Sequence, residues 1–358
     1  MRYYSTTRNY NANAAATWVP DDLMKEWNKR LRKSIKEEKY DRFVSEIADL
    51  PYNELMKGKC FHEQDWVKVK GYPRNGLTDH EFMGGENAVY CMVAQHVRGY
   101  REPVWLQYRM INTESVRRAK ESAKTGIEQP FIFVAEKDNI IYLNSYSKNK
   151  DEMQRVSMYN IEQVVNPPEM KKYPEPLLYI TKDREKLLDA HLENMASDLG
   201  VKIMHSEYFS ESKYDSEKNV LEMPPKEKYR EPEAYYCGAF YELSRRALQV
   251  VEKTEEKCGA LSAEISTILL CHKYGVPVNL DEKKLKIRNA CMDVVPVMKR
   301  MKVWYTSILH DGGRAADYII NHKLEIARRR DVKKNFSSFE LQNLMPNQKE
   351  KKGSERHV

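Results

Sequence analysis

The feature that most constrains the fold is the separation of long helical patterns from strand-like runs along the chain. Strand-like runs lie between residues 105 and 161. The C-terminal half instead carries apolar residues at helical spacing over 182–199, 233–251, 257–274 and 284–323. Pro296 lies within the last pattern and predicts a kink there. This segregation predicts an α+β protein, with helices and a small antiparallel sheet first and a mainly helical part second.

The N-terminal half is predicted to alternate helices with short strands. Helical patterns cover 21–50 and 87–97, and the segment between them, 51–86, is rich in glycine and proline and predicts loops. Residues 105–108 indicate a short strand or the entry to a helix. The runs 130–134 and 140–143 flank a polar turn, so we expect them to pair as a hairpin, with a further strand over 156–161.

Composition divides the chain into five segments, and the stretch richest in proline separates two domains. We expect a flexible tail at 1–20, an N-terminal domain at 21–165, a linker at 166–180, a C-terminal domain at 181–330 and a disordered basic tail at 331–358.

The overall composition is that of a cytoplasmic protein with wide solvated faces. Of the 358 residues, 32% are charged, and no run approaches the length of a membrane span, so we expect no membrane partner. The N-terminus lacks the apolar core of a signal peptide, and the six cysteines form no CxxC pair, which indicates reduced thiols. The net charge of +7 is compatible with nucleic-acid binding but does not establish it.

One pentapeptide looks like a zinc-protease motif that has lost its metal ligands. In an HExxH helix, two histidines at i and i+4 bind zinc, and the glutamate between them is the general base. Here Glu242 keeps the glutamate position, whereas Tyr241 and Arg245 occupy the ligand positions. Tyrosine is a rare ligand, and a protonated arginine cannot donate an electron pair to a cation. No GxSxG, Walker A or GxGxxG motif occurs.

Three blocks of sequence occur in a fixed order between residues 40 and 322. The first comprises 86–91, 98–100, 103–106 and 159–163; the second comprises 223–225, 234–236, 240–243 and 261–264; the third is 315–319. In their order and spacing these blocks resemble the ArdC-type antirestriction proteins of plasmids and phages. That resemblance implies an N-terminal domain that binds single-stranded DNA and a C-terminal domain with a zincin-like metallopeptidase fold. Such proteins shield the DNA of mobile elements from host defence.

This chain departs from the family pattern at the metal site. Besides Tyr241 and Arg245, Gly259 and Ala260 stand where the family carries an acidic pair, so only Glu242 and Glu264 remain. The sequence therefore predicts no metal, no cofactor and no peptidase activity. We hypothesise that the Arg245 guanidinium replaces the metal charge through a carboxylate pair, with Glu264 as the candidate partner. The alternative is an Arg245 side chain in solvent.

The stretch from residue 98 to 124 is the predicted DNA-binding surface. Single-strand binders combine cations with aromatic rings that stack on bases, and this stretch interleaves the two. The candidates are Arg98, Tyr100, Arg101, Trp105, Tyr108, Arg109, Arg117, Arg118 and Lys124. Trp105 can instead belong to the core, and the cations can instead form a solvated helix face.

Two other functions remain open from the sequence. A metal-free zincin cleft could hold a partner peptide by strand addition, which would suit an inhibitor of a host defence protein. A metallopeptidase with an atypical ligand set is the other alternative. His191, His205 and His272 lie too far apart in sequence for their spacing to suggest such a set.

Overall fold

The computed structural model describes residues 21–76, 85–146, 153–168, 180–251 and 256–335. Its helices are α1 Asp21–Phe43, α2 Leu50–Met56, α3 Gly85–Arg98, α4 Tyr108–Thr125, α5 Lys182–Asp198, α6 Pro232–Val251, α7 Glu256–Tyr274, α8 Lys284–Arg300 and α9 Val303–Asn335. Its strands are β1 Arg74–Asn75, β2 Val104–Gln107, β3 Phe133–Val134, β4 Ile141–Tyr146, β5 Met153–Asn160, β6 Val164–Val165, β7 Lys202–His205, β8 Lys213–Asp215 and β9 Val220–Met223. The α+β class predicted from the sequence is confirmed.

The strands form three small sheets. The first sheet has the order β1-β2-β5-β4, the second pairs β3 with β6, and the third has the order β7-β9-β8. Only β1–β2 and β7–β9 are parallel pairs among these; the others are antiparallel. The third sheet lies in the C-terminal half and packs against α5 and α6, so it forms one wall of the region around Tyr241, Glu242 and Arg245.

The predicted hairpin between 130–134 and 140–143 is wrong. Strand β3 pairs with β6, and β4 pairs with β5 in the register Ile141↔Met158. The turn between β3 and β4 is bound from another part of the chain, because the buried Gln163 amide donates to the carbonyls of Glu136 and Asn139. Those side-chain bonds are specified by distant residues, so local turn propensity does not decide the pairing.

The predicted single helix over 284–323 is also wrong, because it is broken at Met301 and Lys302. Pro296 lies inside α8 without ending it, and the break comes at Met301, whose φ of −138° is not helical. The break lets the Lys302 ammonium reach the Asp49 carboxylate at 2.6 Å and the Tyr305 hydroxyl donate to the Ala48 carbonyl at 3.0 Å. Contacts with the N-terminal half therefore set the position of the break.

The other predicted elements of the N-terminal half occur with adjusted ends. The helix predicted over 21–50 is interrupted by the π-helical turn Val44–Ala48, after which α2 begins. Helix α3 ends at Gly99, whose φ of 70° is the left-handed conformation expected after a helix C-terminus. The segment 105–108 provides both predicted outcomes, since β2 runs directly into α4.

The hydrophobic core is continuous between the two halves of the chain. Helix α3 is buried from residue 86 to 95, apart from the half-buried Tyr90, and packs against α7 and α9 of the C-terminal half. The predicted domain limits stay predictions, and the tail at 1–20, most of the linker (169–179) and residues 336–358 lie outside the described residues. Helix α9 continues to Asn335, past the predicted start of the basic tail. Among the described residues, no helix has the length and apolarity that a membrane crossing requires.

A close helix contact fixes the position of α7. A Cβ atom added at Gly312 of α9 would lie 2.6 Å from the Ser262 carbonyl oxygen and 2.8 Å from Ile265 of α7. By contrast, a Cβ at Gly259 of α7 would meet no atom within 4 Å. Only the first glycine is therefore required by helix packing.

We expect Gly312→Ala to lower the free energy of unfolding by about 1–3 kcal/mol, because the helices must move apart. Gly259→Ala is the matched control, since alanine is the better helix former by about 1 kcal/mol and has room here. Urea denaturation of both variants measures the difference. Equal effects of the two substitutions would contradict the packing role of Gly312.

His272 ties α7 to the N-terminal half. Its Nε2 donates to the Val67 carbonyl oxygen at 2.9 Å, and burial lowers the pKa of the imidazole from 6.5 to about 4. The neutral ring is thus the form present in the folded protein near pH 7. Between pH 6.5 and pH 4 the unfolded chain binds a proton that the folded chain does not.

We therefore expect the free energy of unfolding to be highest above pH 6.5 and to fall as the pH drops toward 4, by roughly 3 kcal/mol from this residue at most. His272→Gln keeps an amide donor for the Val67 carbonyl but cannot titrate. Melting temperatures of both proteins between pH 7.5 and 4.5 test the assignment. An unchanged pH slope in the variant would show that another group titrates.

Candidate functional site

The residues of the degenerate motif lie on two buried helices. Tyr241, Glu242 and Arg245 belong to α6, which is buried without a break from residue 235 to 244 because α7, α9 and the third sheet cover it. Glu264 belongs to the adjacent helix α7 and is fully buried. Two buried carboxylates therefore need compensating partners, since an unpaired ionised carboxylate is strongly disfavoured away from water.

Glu242 has a partner for each carboxylate oxygen. Its Oε2 accepts hydrogen bonds from the Tyr214 backbone N–H at 3.1 Å and from Arg245 Nη1 at 3.0 Å. Its Oε1 lies 3.3 Å from Lys283 Nζ and 3.7 Å from Lys286 Nζ. The contact with Lys283 is an ion pair without the alignment of a hydrogen bond. The side chain thus joins β8, its own helix and the region around residue 283.

Lys283 is a member of this charge cluster that the sequence did not reveal. Only 2% of its side chain is exposed, and its ammonium contacts the Ser212 carbonyl oxygen in addition to Glu242. Glu282 lies 3.3 Å and Glu211 3.6 Å from the same ammonium. In the sequence this residue belongs to an ordinary charged run, which would favour a solvated position, so no local signal could have identified it.

The hypothesis that Arg245 pairs with Glu264 is wrong. Arg245 contacts Glu242, which lies three positions before it on the same helix. Glu264 is held by His62, whose backbone N–H and Nδ1 lie 2.7 and 2.6 Å from Oε1. His62 comes from the 3₁₀ turn Phe61–Glu63 of the N-terminal half. Glu264 thus pairs with a residue of the N-terminal half, whereas Arg245 pairs within its own helix.

Tyr241 is directed into the interior beside Ala260. Its side chain is fully buried, and its hydroxyl lies 3.5 Å from the Ala260 carbonyl oxygen. Burial, with the nearby Glu242 carboxylate, raises the pKa of the phenol, so the ring is neutral. The Lys286 ammonium lies 5.6 Å from the ring centroid. This residue therefore fills space and does not supply an anionic ligand.

The residues present do not fit the divalent metal that the family resemblance implies. Glu242 contacts the Arg245 guanidinium and the Lys283 ammonium, and these charges would repel a metal ion at the same carboxylate. One oxygen of Glu264 is bound by His62, although the other has no hydrogen-bond partner. Within the described part of the chain, no three His, Cys, Asp or Glu side chains form a group that could hold a metal.

The edge of strand β8 is closed by the same charged residues. The outward N–H of Tyr214 bonds to Glu242, the N–H of Ser212 bonds to Glu282, and the Ser212 carbonyl accepts from Lys283. A Cβ at position 238 of α6 would lie 2.6 Å from Ser212 Oγ and 2.7 Å from Glu282 Oε2, so helix α6 lies close to this edge. Strand addition at this edge would have to displace a buried ion-pair network.

Two of the predicted DNA-binding cations have structural roles. Arg98 donates to the Asn139 carbonyl at 2.6 Å, and burial lowers the pKa of its guanidinium. Arg118 donates to the carbonyls of Pro130 at 3.1 Å and Asn166 at 2.9 Å, next to strands β3 and β6. These guanidinium groups connect secondary-structure elements, and the assignment of Arg98 and Arg118 to a DNA surface stays a prediction.

The aromatic residues predicted to stack on bases also differ in their exposure to solvent. Trp105 is fully buried in the core, and Tyr100 is half-buried with its ring edge-on to Trp105 at 6.0 Å, so neither offers a free face for stacking. Tyr108 is 42% exposed at the start of α4, and its ring contacts that of Tyr159 at 5.9 Å. Of the predicted aromatic residues, Tyr108 is the one that solvent reaches freely.

The remaining cations are exposed, and most of them share one side of α4. The spacing of 8, 3 and 4 residues places them on one helix face, which we call the α4 cationic face: Arg109, Arg117, Lys120 and Lys124. Arg117 is paired with Glu114 at 2.8 Å and with Glu121 at 2.7 Å. Arg101 is also exposed, in the segment that precedes β2. This face is opposite the buried Ile111 of the same helix.

Two exposed phenylalanines next to α4 were missed by sequence reasoning. Phe131 and Phe133 are 60% and 51% exposed, whereas Ile132 and Val134 between and after them are buried. Strand β3, which holds Phe133, packs against α4. All four residues are apolar, so the alternation that separates exposed from buried positions is invisible in the sequence. Exposed aromatic rings beside cations are the elements of a single-strand binding surface.

We expect the ion pair of Glu242 and Lys283 to show strong coupling in a double-mutant cycle. Glu242→Met and Lys283→Met should each cost about 3 kcal/mol, because each leaves a buried charge without its main partner. The double variant should cost at least about 1 kcal/mol less than their sum. Urea denaturation measures all three.

The control for this cycle is Lys284→Met, whose side chain is 46% exposed and 3.8 Å from Glu63. It should change stability by no more than about 0.5 kcal/mol. If the two substitutions have additive effects, or if Lys283→Met leaves the free energy of unfolding unchanged, Lys283 does not stabilise the protein through Glu242.

Comparison with known proteins identifies the fold. No protein-family model and no curated protein sequence matches this chain. Two crystal structures of the antirestriction ArdC protein from plasmid R388 are similar to it in three dimensions. The metal-free structure has a TM-score of 0.50 at 15% identity, over 80% of this chain and 98% of that one. The Mn(II)-bound structure has a TM-score of 0.51 at 16% identity, over 70% and 92%. The chain thus has an ArdC-like fold.

Proposed function

We propose that this protein is an antirestriction-type protein that binds single-stranded DNA and has no peptidase activity. The observations that carry the DNA-binding part are the α4 cationic face and the exposed rings of Phe131 and Phe133, in and just before strand β3, which packs against α4. The similarity in fold to the antirestriction ArdC protein supports the antirestriction part. Both parts agree with the family resemblance of the sequence blocks.

The chemistry of the surface favours a single strand. Helix α4 presents cations from residue 109 to 124, a distance of about 22 Å along the helix axis at the usual rise per residue. Phosphates along a strand can pair with these cations without any reading of sequence. Unpaired bases expose their faces to aromatic rings, whereas bases within a duplex are stacked on each other, so Phe131 and Phe133 favour a single strand.

The proposed lack of catalysis rests on the state of Glu242. A general base needs a free carboxylate oxygen within reach of the water that it deprotonates. Here the carboxylate is 1% exposed and contacts the Tyr214 N–H, the Arg245 guanidinium and the Lys283 ammonium. We therefore assign Glu242 a structural role.

The test is a salt-titrated binding assay with a fluorescent single strand of mixed sequence. If about three cations pair with phosphates, affinity should fall roughly 20-fold between 50 and 200 mM salt. Lys120→Gln with Lys124→Gln should reduce the salt slope, the slope of log affinity against log salt concentration, by about 1.4. Phe131→Ala with Phe133→Ala should weaken binding by about 1–3 kcal/mol per stacked base. A duplex of the same sequence should bind more weakly.

The matched control removes two exposed cations elsewhere, with Lys299→Gln and Arg300→Gln at the end of α8. These changes keep the same net charge as the α4 variant but should leave the salt slope within error. An equal loss in both variants would show that only net charge matters and that α4 is not the interface. Stronger binding to the duplex would contradict the stacking role of the phenylalanines.

A further inference from the structure

The outer edge of strand β7 is open in the part of the chain that the structure describes. Strand β7 lies at one end of its sheet, and the N–H groups of Lys202 and Ser206 bond inward to the carbonyls of Asn219 and Met223. In a parallel ladder alternate residues face the neighbouring strand, so Ile203 and His205 direct their backbone N–H and C=O groups outward. Among the described residues none bonds to these outward groups.

The two edges of this sheet therefore differ. At β8, Glu242, Glu282 and Lys283 occupy the outward groups of Ser212 and Tyr214. At β7 the corresponding groups bond to none of the residues that the structure describes. An exposed edge of this kind pairs readily with another extended chain. The edge away from the degenerate zinc motif is thus the one that can accept an added strand.

A cleft of about 350 Å³ lies directly beside β7. Ile203 and His205 contribute their side chains to one wall, and Tyr235 of α6 contributes to another. The His205 ring stacks on that of Tyr235 at 6.0 Å, and the two are joined by a 3.0 Å hydrogen bond between Nε2 and the hydroxyl oxygen. Three carboxylates, Asp189, Glu193 and Glu227, complete the charged lining. The cleft thus combines aromatic surface with a negative rim.

The walls of this cleft already hold one ammonium group. Lys226 contacts the Asp189 carboxylate, lies 3.4 Å from Glu185, and stands 5.0 and 5.2 Å from the ring centroids of Tyr235 and Tyr236. Carboxylates combined with aromatic faces are the environment that binds ammonium and guanidinium ions. The lining chemistry therefore favours a cation over an anion.

Two of the carboxylates are left for a second cation. Glu193 and Glu227 are exposed, and neither has an ion-pair partner among the described residues. Both carboxylates act on the Tyr235 side chain. The pKa of its phenol is raised mainly by burial and then by the nearby carboxylates, which include Asp189, Glu193 and Glu227. Their side of the cleft therefore carries uncompensated negative charge within reach of the β7 edge.

We propose that β7 and this cleft form a docking site for an extended segment of another protein that carries a lysine or arginine side chain. The segment adds to the sheet through the outward backbone groups of Ile203 and His205. Alternate side chains of an added strand face the same side as those two residues, so one of them enters the cleft between Glu193 and Glu227. The site lies apart from the α4 cationic face and does not depend on DNA binding.

The test uses the full chain and labelled heptapeptides of the form Thr-Val-Thr-X-Thr-Val-Thr, with X as lysine, arginine, glutamine or glutamate. Fluorescence anisotropy should give at least tenfold tighter binding of the lysine and arginine peptides than of the glutamine peptide, and the weakest binding for glutamate. Glu193→Gln with Glu227→Gln should abolish that preference. Glu128→Gln with Glu217→Gln, at two exposed positions outside the cleft lining, should preserve it.

Strand addition is tested by modifying the peptide backbone. The protein is unchanged, so a loss of binding cannot result from misfolding. Two lysine peptides carry N-methyl groups at alternate residues, in opposite registers. The register whose N–H groups face β7 should lose at least tenfold in affinity, and the other should keep most of it. The proposal is overturned if lysine binds no tighter than glutamine, if the preference survives Glu193→Gln with Glu227→Gln, or if both methylated peptides bind like the unmodified one.

Discussion

The buried carboxylate of Glu242 is the constraint on which the C-terminal half depends. A buried carboxylate is stable only with full compensation, and this one draws its partners from β8, from its own helix and from the turn Asp281–Lys283. Each of these elements is thereby held against α6. Lys283 in turn binds the Ser212 carbonyl, so the same charge network that stabilises the helix closes the edge of the sheet. Glu242, which occupies the position of a catalytic base in the HExxH pattern, here connects three structural elements.

The second buried carboxylate connects the two halves of the chain. Glu264 is bound by His62, and His272 on the same helix binds the Val67 carbonyl. Together with the packing of α3 on α9, these contacts attach the N-terminal half, which carries the α4 cationic face, to the helices of the degenerate motif. Both buried carboxylates thus contact protein cations or N–H groups, some of which come from distant parts of the chain.

Much of the secondary structure followed from hydrophobic periodicity, whereas the roles of charged residues did not. The patterns over 87–97 and 182–199 predicted α3 and α5 closely, since the apolar stripe of a helix is a local property. Arg98 and Arg118 look the same in sequence as Arg109 and Lys124, yet the first two bind backbone carbonyls of distant loops. Whether a cation is free depends on what packs against it.

The sequence by itself determined the α+β class, the positions of most helices and the absence of an HExxH pattern at residues 241–245, because these depend on residue type and local spacing. Tertiary structure decided that Glu264 pairs with His62 and that Lys283 is buried. It also decided which cations and aromatic rings face solvent, and that β8 is closed while β7 stays open among the described residues. Those outcomes follow from contacts between residues far apart in the chain, so local sequence patterns do not predict them.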